Sequence, residues 1–293
     1  MTLEQLAIFI AVAEREHLTR AADAIHLTPS AVSSAIKTLE QHYGVELFHR
    51  IGRRIELTDT GRVFLGEARE TLARARSAEL VLSEMGGLMR GTLSVHASQT
   101  IASYWLPPRL MAFRAAYPGI ALILTLGNTR TVAQAVIRGE ADLGFVEGEL
   151  DEPALAAIAV DEDQLTILVA PSHPWASRGR IEPQMLAGTN WIMREDGSGT
   201  RSVFETALTA MNVEPATLPV ALVLPSNESI LSALAGGQCA AAISRLAARS
   251  HLDAGHLVAI DLPLGSRTFL SLHHKERHRS RAALELARLC GIR

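Results

Sequence analysis

Residues Leu18 to Arg50 read LTRAADAIHLTPSAVSSAIKTLEQHYGVELFHR, and no other stretch limits the fold so sharply. An alanine-rich helical pattern runs to Ile25, breaks at His26-Leu27, and restarts after Thr28-Pro29-Ser30 to run on to His42. Thr28 is a good N-cap, and Pro29 at the first helical position loses no hydrogen bond. The small side chains of Ala21 and Ala22 allow the first helix to lie close to the second, to which Val32, Ile36 and Leu39 give an apolar face. Two short helices joined by so short a turn predict a helix-turn-helix whose second helix meets DNA with its leading end. Leu3, Leu6, Phe9, Ile10 and Ala13 recur at helical spacing and predict a supporting helix over 3–16.

Gly44 ends the second helix, and Val45, Leu47 and Phe48 return apolar groups to the small core. Ile55 and Leu57 then alternate with polar neighbours, which predicts a short hairpin with Arg50, Arg53 and Arg54 clustered at its tip. Beside a helix-turn-helix such a hairpin is a wing, and its arginines reach phosphate or the minor groove. A solvated basic turn is the plainer alternative. Thr58-Asp59 caps a helical pattern from about Thr60 to Met89. Leu65, Ala68, Leu72, Ala75, Leu82 and Met85 form one narrow stripe on it. About 28 residues span about 40 Å, and so narrow a stripe calls for a partner helix, hence a dimerising linker. Packing onto its own chain is the alternative. Gly86-Gly87 and Gly91 mark a domain boundary.

From Thr92 onward strands and helices alternate, which predicts an α/β region. Strands are expected at Leu93–Ala97, Ala121–Leu126 and Ala141–Val146. A helix should run from Ser98-Gln99-Thr100 to Ala116, interrupted at Pro107-Pro108, with another at Thr131–Arg138. A second set comprises strands Leu165–Ala170, Trp191–Met193, Pro219–Leu224, Cys239–Ile243 and Leu257–Ile260, with helices Arg201–Met211 and Glu228–Ala235. Phe269–Leu272 reads as a strand returning to the first set and Ser280–Leu289 as a closing helix. Two lobes result, with crossings near Val160–Gln164 and Pro263–Thr268, and such lobes bind a ligand between them.

The chain has 293 residues and a formal net charge of −3. Residues 1–90 carry 11 Lys and Arg against 12 Asp and Glu, so DNA affinity must depend on where the charges sit. Cys239 and Cys290 lie in apolar surroundings, and a reducing compartment fits them better than a disulfide. The start, MTLEQLAIFIAVAERE, lacks a basic n-region, and no apolar run reaches membrane-spanning length. A cytoplasmic location is therefore expected.

On the leading part of the second helix, Ser33 and Lys37 share a face and Ser30 lies one turn earlier. With Ser34, these offer hydroxyls and an ammonium to phosphates or base edges. Ala31, Val32 and Ile36 are expected to pack, although Ala31 could instead meet a thymine methyl. In the α/β region, Ser98-Gln99-Thr100 and Gly197-Ser198-Gly199-Thr200 each follow a strand and open a helix, so both suit an anion. Ordinary capping is the alternative. Arg201 would pair with that ligand or with Glu195 or Asp196. Ser226-Asn227-Glu228 is a further capped helix start on the cleft rim, and Glu147, following the strand, would meet an amine or hydroxyl. The GSGT run lacks the lysine and spacing of a P-loop. No nucleophile–His–carboxylate set stands at a defensible spacing, His96 near Ser98 being the only close pair. His273, His274 and His278 sit among cations that disfavour a metal. Trp105, Trp175 and Trp191 read as core or interface.

In this order the parts resemble the LysR-type transcriptional regulators over essentially the whole chain. The resemblance is most specific in Ala21-Ala22 through Leu39-Glu40, with Ala31-Val32-Ser33 and Ile36-Lys37. It continues in Gly44-Val45-Glu46-Leu47-Phe48-His49-Arg50 and Leu57-Thr58-Asp59-Thr60-Gly61. The cleft motifs Arg194 to Arg201 and Ser226-Asn227-Glu228 resemble the branch that regulates carbon fixation and sulfur assimilation. Many members carry Gln-Pro where this chain has Pro29-Ser30, which removes an amide that reads adenine.

The resemblance implies a winged helix-turn-helix over 1–58, a linker helix over 59–90 and a two-lobed, periplasmic-binding-protein-like effector domain over 91–293. Lobe I would comprise about 91–161 and 267–293, lobe II about 162–266. It implies that Thr28, Ser30, Ala31, Ser33, Ser34, Lys37, Arg50, Arg53 and Arg54 approach double-stranded DNA, the helix in the major groove. Ser98, Gln99, Thr100, Glu147, Ser198, Gly199, Thr200, Arg201, Ser226 and Asn227 would surround a small anionic metabolite. A homodimer assembling to a homotetramer, contact with RNA polymerase, and neither catalysis nor a cofactor complete the expectation. A solute-binding module that uses its helix-turn-helix for protein contacts is the alternative.

Overall fold

A reciprocal cap opens the chain: Thr2 Oγ1 accepts from the Gln5 amide at 3.2 Å and Gln5 Oε1 from the Thr2 amide at 2.9 Å, satisfying two of the donors a helix start leaves free. The computed structural model describes residues 1–51, 54–85 and 91–292. They fall into two units, Met1–Gly86 with Arg138–Glu140, and Gly87–Ile137 with Ala141–Arg293.

In the first unit, α1 (Leu3–Arg15), α2 (Leu18–Ala24) and α3 (Pro29–Tyr43) precede a hairpin of β1 (Phe48–Ile51) and β2 (Arg54–Leu57), followed by α4 (Asp59–Met85). Thr28 caps α3 through the Ala31 amide at 3.2 Å, and Gly44 ends it at φ 66°. Ala21 and Ala22 are fully buried, so α2 lies close to α3. Phe9 is fully buried, its ring 5.4 Å from that of Phe48 and 4.8 Å from that of Phe64. Those contacts tie α1 to the hairpin and to α4. Phe64, Leu65, Ala68 and Leu72 carry the first half of the α4 stripe onto this core, whereas Leu82 further along is 70% exposed. Gly61 is needed at the start of α4, because any Cβ there would overlap the Leu47 carbonyl oxygen. Of the wing arginines, Arg53 lies outside the described residues. Arg50 and Arg54 lie on the paired strands, opposite Ile55 and Ile51.

The second unit begins with β3 (Gly91–Ser98), a π-type turn at Ile101–Trp105, α5 (Pro107–Ala116), β4 (Ile120–Gly127), α6 (Thr129–Arg138) and β5 (Leu143–Glu147). Next come β6 (Leu155–Val169), β7 (Asn190–Arg194), α7 (Gly199–Ala210), β8 (Val220–Leu224), α8 (Asn227–Leu234) and β9 (Cys239–Ser244). Finally there are α9 (Arg245–Asp253), β10 (Val258–Ile260), β11 (Ser266–His274) and α10 (Arg281–Leu289). The strands follow one another as β4-β3-β5-β11-β6-β9-β7-β8, with β10 beside β6. The long strand β6 joins the lobes. Its first part pairs with β11 as far as Gln164↔Ser266, and its second part pairs with β9 from Leu165↔Ser244.

Two expectations change here. Leu155–Gln164 is strand, with the crossing at Val160–Gln164 inside it, and Arg245–Asp253 forms a helix absent from the sequence reading. In α9 Ala247 and Ala248 are buried and Leu246 and Leu252 pack beside them, but this short apolar face is set among Arg245, Arg249, Ser250, His251 and Asp253, so the segment as a whole is too polar to stand out as a packed helix. Lobe I centres on Trp105, Phe113, Phe145 and Phe269, lobe II on Trp175, Trp191, Phe204 and Leu208. Cys239 and Cys290 are free thiols, and burial pushes that of Cys290 up to about 12. Among the described residues no helix is long and apolar enough to cross a membrane.

Glu40 ties the second helix to the wing: its Oε1 accepts from the amides of Leu47 at 2.8 Å and Phe48 at 3.2 Å. Glu40→Ala leaves both donors unpaired, at a cost of about 1–3 kcal/mol. Amide exchange at Leu47 and Phe48 should accelerate markedly in this variant. Exchange unchanged from the wild type would show that Glu40 does not hold the wing.

Candidate functional site

On α3 the structure exposes Thr28, Ser30, Ala31, Ser34 and Lys37 and half-buries Ser33. Thr28 Oγ1 is engaged twice, by the Ala31 amide and by Ser30 Oγ at 3.0 Å. Val32 and Ile36 pack as expected, but Ala31 does not: it stands on the outer face with the serines. The leading turns therefore present a small, hydroxyl-rich surface that fits closely against a groove, with Lys37 at its far end.

The second site lies between the lobes and is organised by a residue the sequence reading passed over. Arg267, on β11, has a fully buried side chain. Its Nη2 and Nε reach Asp163 Oδ2 on β6 at 2.7 and 2.9 Å. Nη1 donates to Thr200 Oγ1 of lobe II at 2.8 Å, and Nη2 donates to Thr100 Oγ1 of lobe I at 3.2 Å. Glu147 Oε1 stands 3.3 Å from Nη1, and Glu147 Oε2 accepts from Ser98 Oγ. The two predicted helix starts thus face each other, as expected, but across a guanidinium belonging to the chain itself. Thr100 and Thr200 present acceptors to this cation rather than donors to an anion. Ser98 bonds Glu147 and not His96, and Glu147 is the last residue of β5, not a residue beyond it.

Further contacts close the lobes on each other. Gln99 accepts from the Asn227 amide at 2.6 Å and donates to Glu228, while Asn227 Nδ2 donates to Thr100 at 3.0 Å. Tyr104 donates to Glu228 at 2.9 Å, and burial, with that carboxylate, raises its hydroxyl to about 12. Asn128 of lobe I donates to Glu195 at 3.2 Å, and Arg130 to Asp196 at 2.7 Å. Arg194, 3% exposed, grips Glu195 at 2.8 and 3.0 Å and donates to Asn227 Oδ1 at 2.8 Å. Burial works against the Glu195 carboxylate, and the Arg194 guanidinium outweighs it, holding that group below the ordinary range. Arg201 pairs with Glu205 at 2.7 Å, one turn along α7, rather than with Glu195 or Asp196. Ser226 caps α8 and bonds Ser229 at 2.7 Å.

At Gly199 the backbone of lobe II lies hard against lobe I. A Cβ there would overlap the Glu147 carbonyl oxygen and lie 2.6 Å from Thr129 Oγ1. Beside this contact a cavity of about 330 Å³ opens, lined by Thr129, Glu147, Glu149, Glu152, Ser198 and Arg201 among others. Among the described residues there is no group of three or more candidate metal ligands. His273 is half-buried, and burial, with Arg279 nearby, lowers its pKa.

Residues 86–291 match the LysR substrate binding domain, and residues 3–62 match the bacterial regulatory helix-turn-helix protein, lysR family. The HTH-type transcriptional regulator YeiE of Escherichia coli K12 is 34% identical over 292 residues, 99% of this chain and 97% of that protein. A probable RuBisCO transcriptional regulator of Trichormus variabilis is 33% identical over 288 residues, 96% and 85% of the two chains. Among solved structures, a full-length OxyR variant from Pseudomonas aeruginosa superposes with a TM-score of 0.72 at 23% identity, covering 99% of this chain and 94% of its own. Full-length CbnR complexed with its target DNA gives 0.68 at 22% identity, covering 99% and 100%. The chain belongs to the LysR family of DNA-binding transcriptional regulators, which are not enzymes.

Arg267→Met removes one cation from between two buried carboxylates. It should destabilise the effector domain by about 3–5 kcal/mol, the range for breaking a buried pair from one side. Urea unfolding followed by the fluorescence of Trp105, Trp175 and Trp191 reads this loss. A variant as stable as the wild type would remove Arg267 from the centre of the site.

Proposed function

We propose that a small metabolite carrying an anionic group binds between the lobes and changes how α3 and the wing engage double-stranded DNA. The observation that carries this reading is the seat at Gly199, where the start of α7 in lobe II presses on Glu147 and Thr129 of lobe I beside an open cavity. A helix start supplies donors and partial positive charge to an anion. A ligand held there meets both lobes at once. It shifts the population of regulator states only by its differential affinity for them, and the lobe-to-lobe bonds already present set the starting balance. Ser98, Thr100, Thr200 and Asn227 act in this reading through Glu147 and Arg267, and Ser198, Gly199 and Arg201 line the ligand's own space. No cofactor takes part.

The DNA half of the reading rests on the exposed face of α3. Ser30, Ser34 and Lys37 approach phosphates and base edges in the major groove, and Arg50, Arg53 and Arg54 of the wing reach the same DNA. A homodimer would present two such faces to half-sites about one turn apart. Support for self-association comes from Val63 and Leu82 on α4, 74% and 70% exposed. Exposed apolar residues on the edge strands also support it, Ile123 and Leu126 on β4 and Leu222 and Val223 on β8, because unpaired edges are ready pairing surfaces. Assembly to a homotetramer, contact with RNA polymerase and work in the cytoplasm complete the reading.

The test is a gel-shift titration on the DNA upstream of the chain's own gene, with and without a metabolite extract. Thr200→Val and Ser98→Ala should weaken the response to extract and leave DNA binding in place. Lys37→Ala should weaken binding across sequences and reduce the salt slope by about 1. Loss of DNA binding by folded Thr200→Val would contradict the separation of input from output. Arg53→Ala/Arg54→Ala with no salt-dependent affinity to lose would favour the solute-binding module with a protein-contacting helix-turn-helix.

A further inference from the structure

The start of α7 differs from an ordinary capped helix. Ser198 occupies the cap position, yet its side chain accepts no capping hydrogen bond. It is 2% exposed, and among the described residues its Oγ has no hydrogen-bond partner. The amides of Gly199, Thr200 and Arg201 belong to the first turn, which has no acceptors of its own within the helix. Other helix starts are served by their own caps: Thr28 for α3, Asn128 for α6, Ser226 for α8, Ser244 for α9 and Ser280 for α10. An uncapped first turn beside a buried hydroxyl without a partner is a donor set lacking its acceptor, and an unpaired buried polar group is costly.

The lining of the cavity is acidic. Five carboxylates line the cavity, on Glu147, Glu149, Glu152, Asp196 and Glu205, against two guanidiniums, Arg130 and Arg201. Both guanidiniums are already spent, on Asp196 and Glu205, each at 2.7 Å, and Glu147 is held by Arg267. The carboxylates of Glu149 and Glu152 remain, both exposed and, among the described residues, with no cation paired to them. A ligand with negative charge alone would meet these carboxylates with repulsion. One with positive charge alone would leave the α7 donors unserved.

We infer that the cavity takes a small zwitterion of the amino-acid class. Its carboxylate lies on Ser198 Oγ and the first-turn amides of α7, and its ammonium faces Glu149 and Glu152. This rests on the reading of the cleft as the effector site and adds the ligand's second charge. A cavity of about 330 Å³ lies at the small end of the range for metabolite pockets, which suits a single amino acid rather than a peptide.

The experiment is a thermal-shift and calorimetric screen of the full-length chain against the twenty standard amino acids. For whichever raises Tm most, the screen continues with the same compound lacking its amine and the same compound lacking its carboxylate. The inference predicts that one or a few amino acids bind and that removing either group weakens binding about tenfold or more, the scale of one charge-assisted hydrogen bond. Glu149→Gln/Glu152→Gln should weaken the amino acid and not the amine-free acid. Ser198→Ala should weaken both. Binding by none of the twenty, or an amine-free acid or simple amine that binds as well as the amino acid, overturns the inference. An amino acid that binds in the predicted pattern yet leaves the DNA gel shift unchanged supports the ligand class and contradicts the regulatory reading. An amine-free anion that binds best and alters the gel shift does the reverse.

Discussion

The two lobes of the second unit meet across one guanidinium. Arg267 sits on one of the strands that join the lobes and Asp163 on the other, while Thr100 and Thr200 come from the two facing helix starts. Taking an arginine fully out of water is expensive, and the expense is met only when partners stand at bonding distance on every side. Here they come from both lobes and both joining strands, so the cation is satisfied only with the lobes together. Such an ion group adds little net stability compared with apolar packing of the same volume. Parting the lobes would strip the guanidinium of its threonine partners and leave a less satisfied buried charge, which is the costly case.

The same group reaches the candidate ligand space through Glu147. Its carboxylate meets Arg267 and Ser98 on the inner side, while the residue lines the cavity beside α7 on the other. A charged ligand placed there alters the field on Glu147 and hence the balance of the ion group, with no long chain of contacts required. The sum is one cation against two carboxylates, Glu147 and Asp163. A further positive charge nearby is therefore electrostatically welcome, and a further negative charge is welcome only where donors await it. Gly199 makes this proximity possible, since any larger residue would hold α7 away from β5.

The helix-turn-helix could be read from the sequence because its determinants are local. Thr28, Pro29, the buried alanines and the spacing of Val32, Ile36 and Leu39 act within a few residues of one another. The cleft was legible only in part. Ser98, Thr100, Ser198 and Thr200 announce themselves as polar residues at strand-to-helix junctions, and Glu147 as an acid closing an apolar run. Arg267, Asp163 and Arg194 carry no such mark, because their roles arise from pairing across 104, 67 and 33 positions of sequence. The available signal was a lone arginine beside the apolar strand at Phe269, together with the acidic run Asp161-Glu162-Asp163 leading into Leu165. A charge entering a buried strand needs a partner, and these two segments are the crossings between lobes. The cation between the facing threonines went unread for the same reason, since Arg267 lies far from both in the chain.

With no ligand bound, Arg267 is the group that holds the lobes together. The separation of the lobes tests it most directly, measured by pulsed electron resonance in the full chain with Cys239 and Cys290 replaced by alanine. Labels would sit at Met111, 70% exposed on α5 of lobe I, and Asp253, exposed on α9 of lobe II. One narrow distance is expected for the otherwise native chain, and a longer or broader distribution for Arg267→Met at a temperature where both are folded. Identical distributions would contradict this role for Arg267.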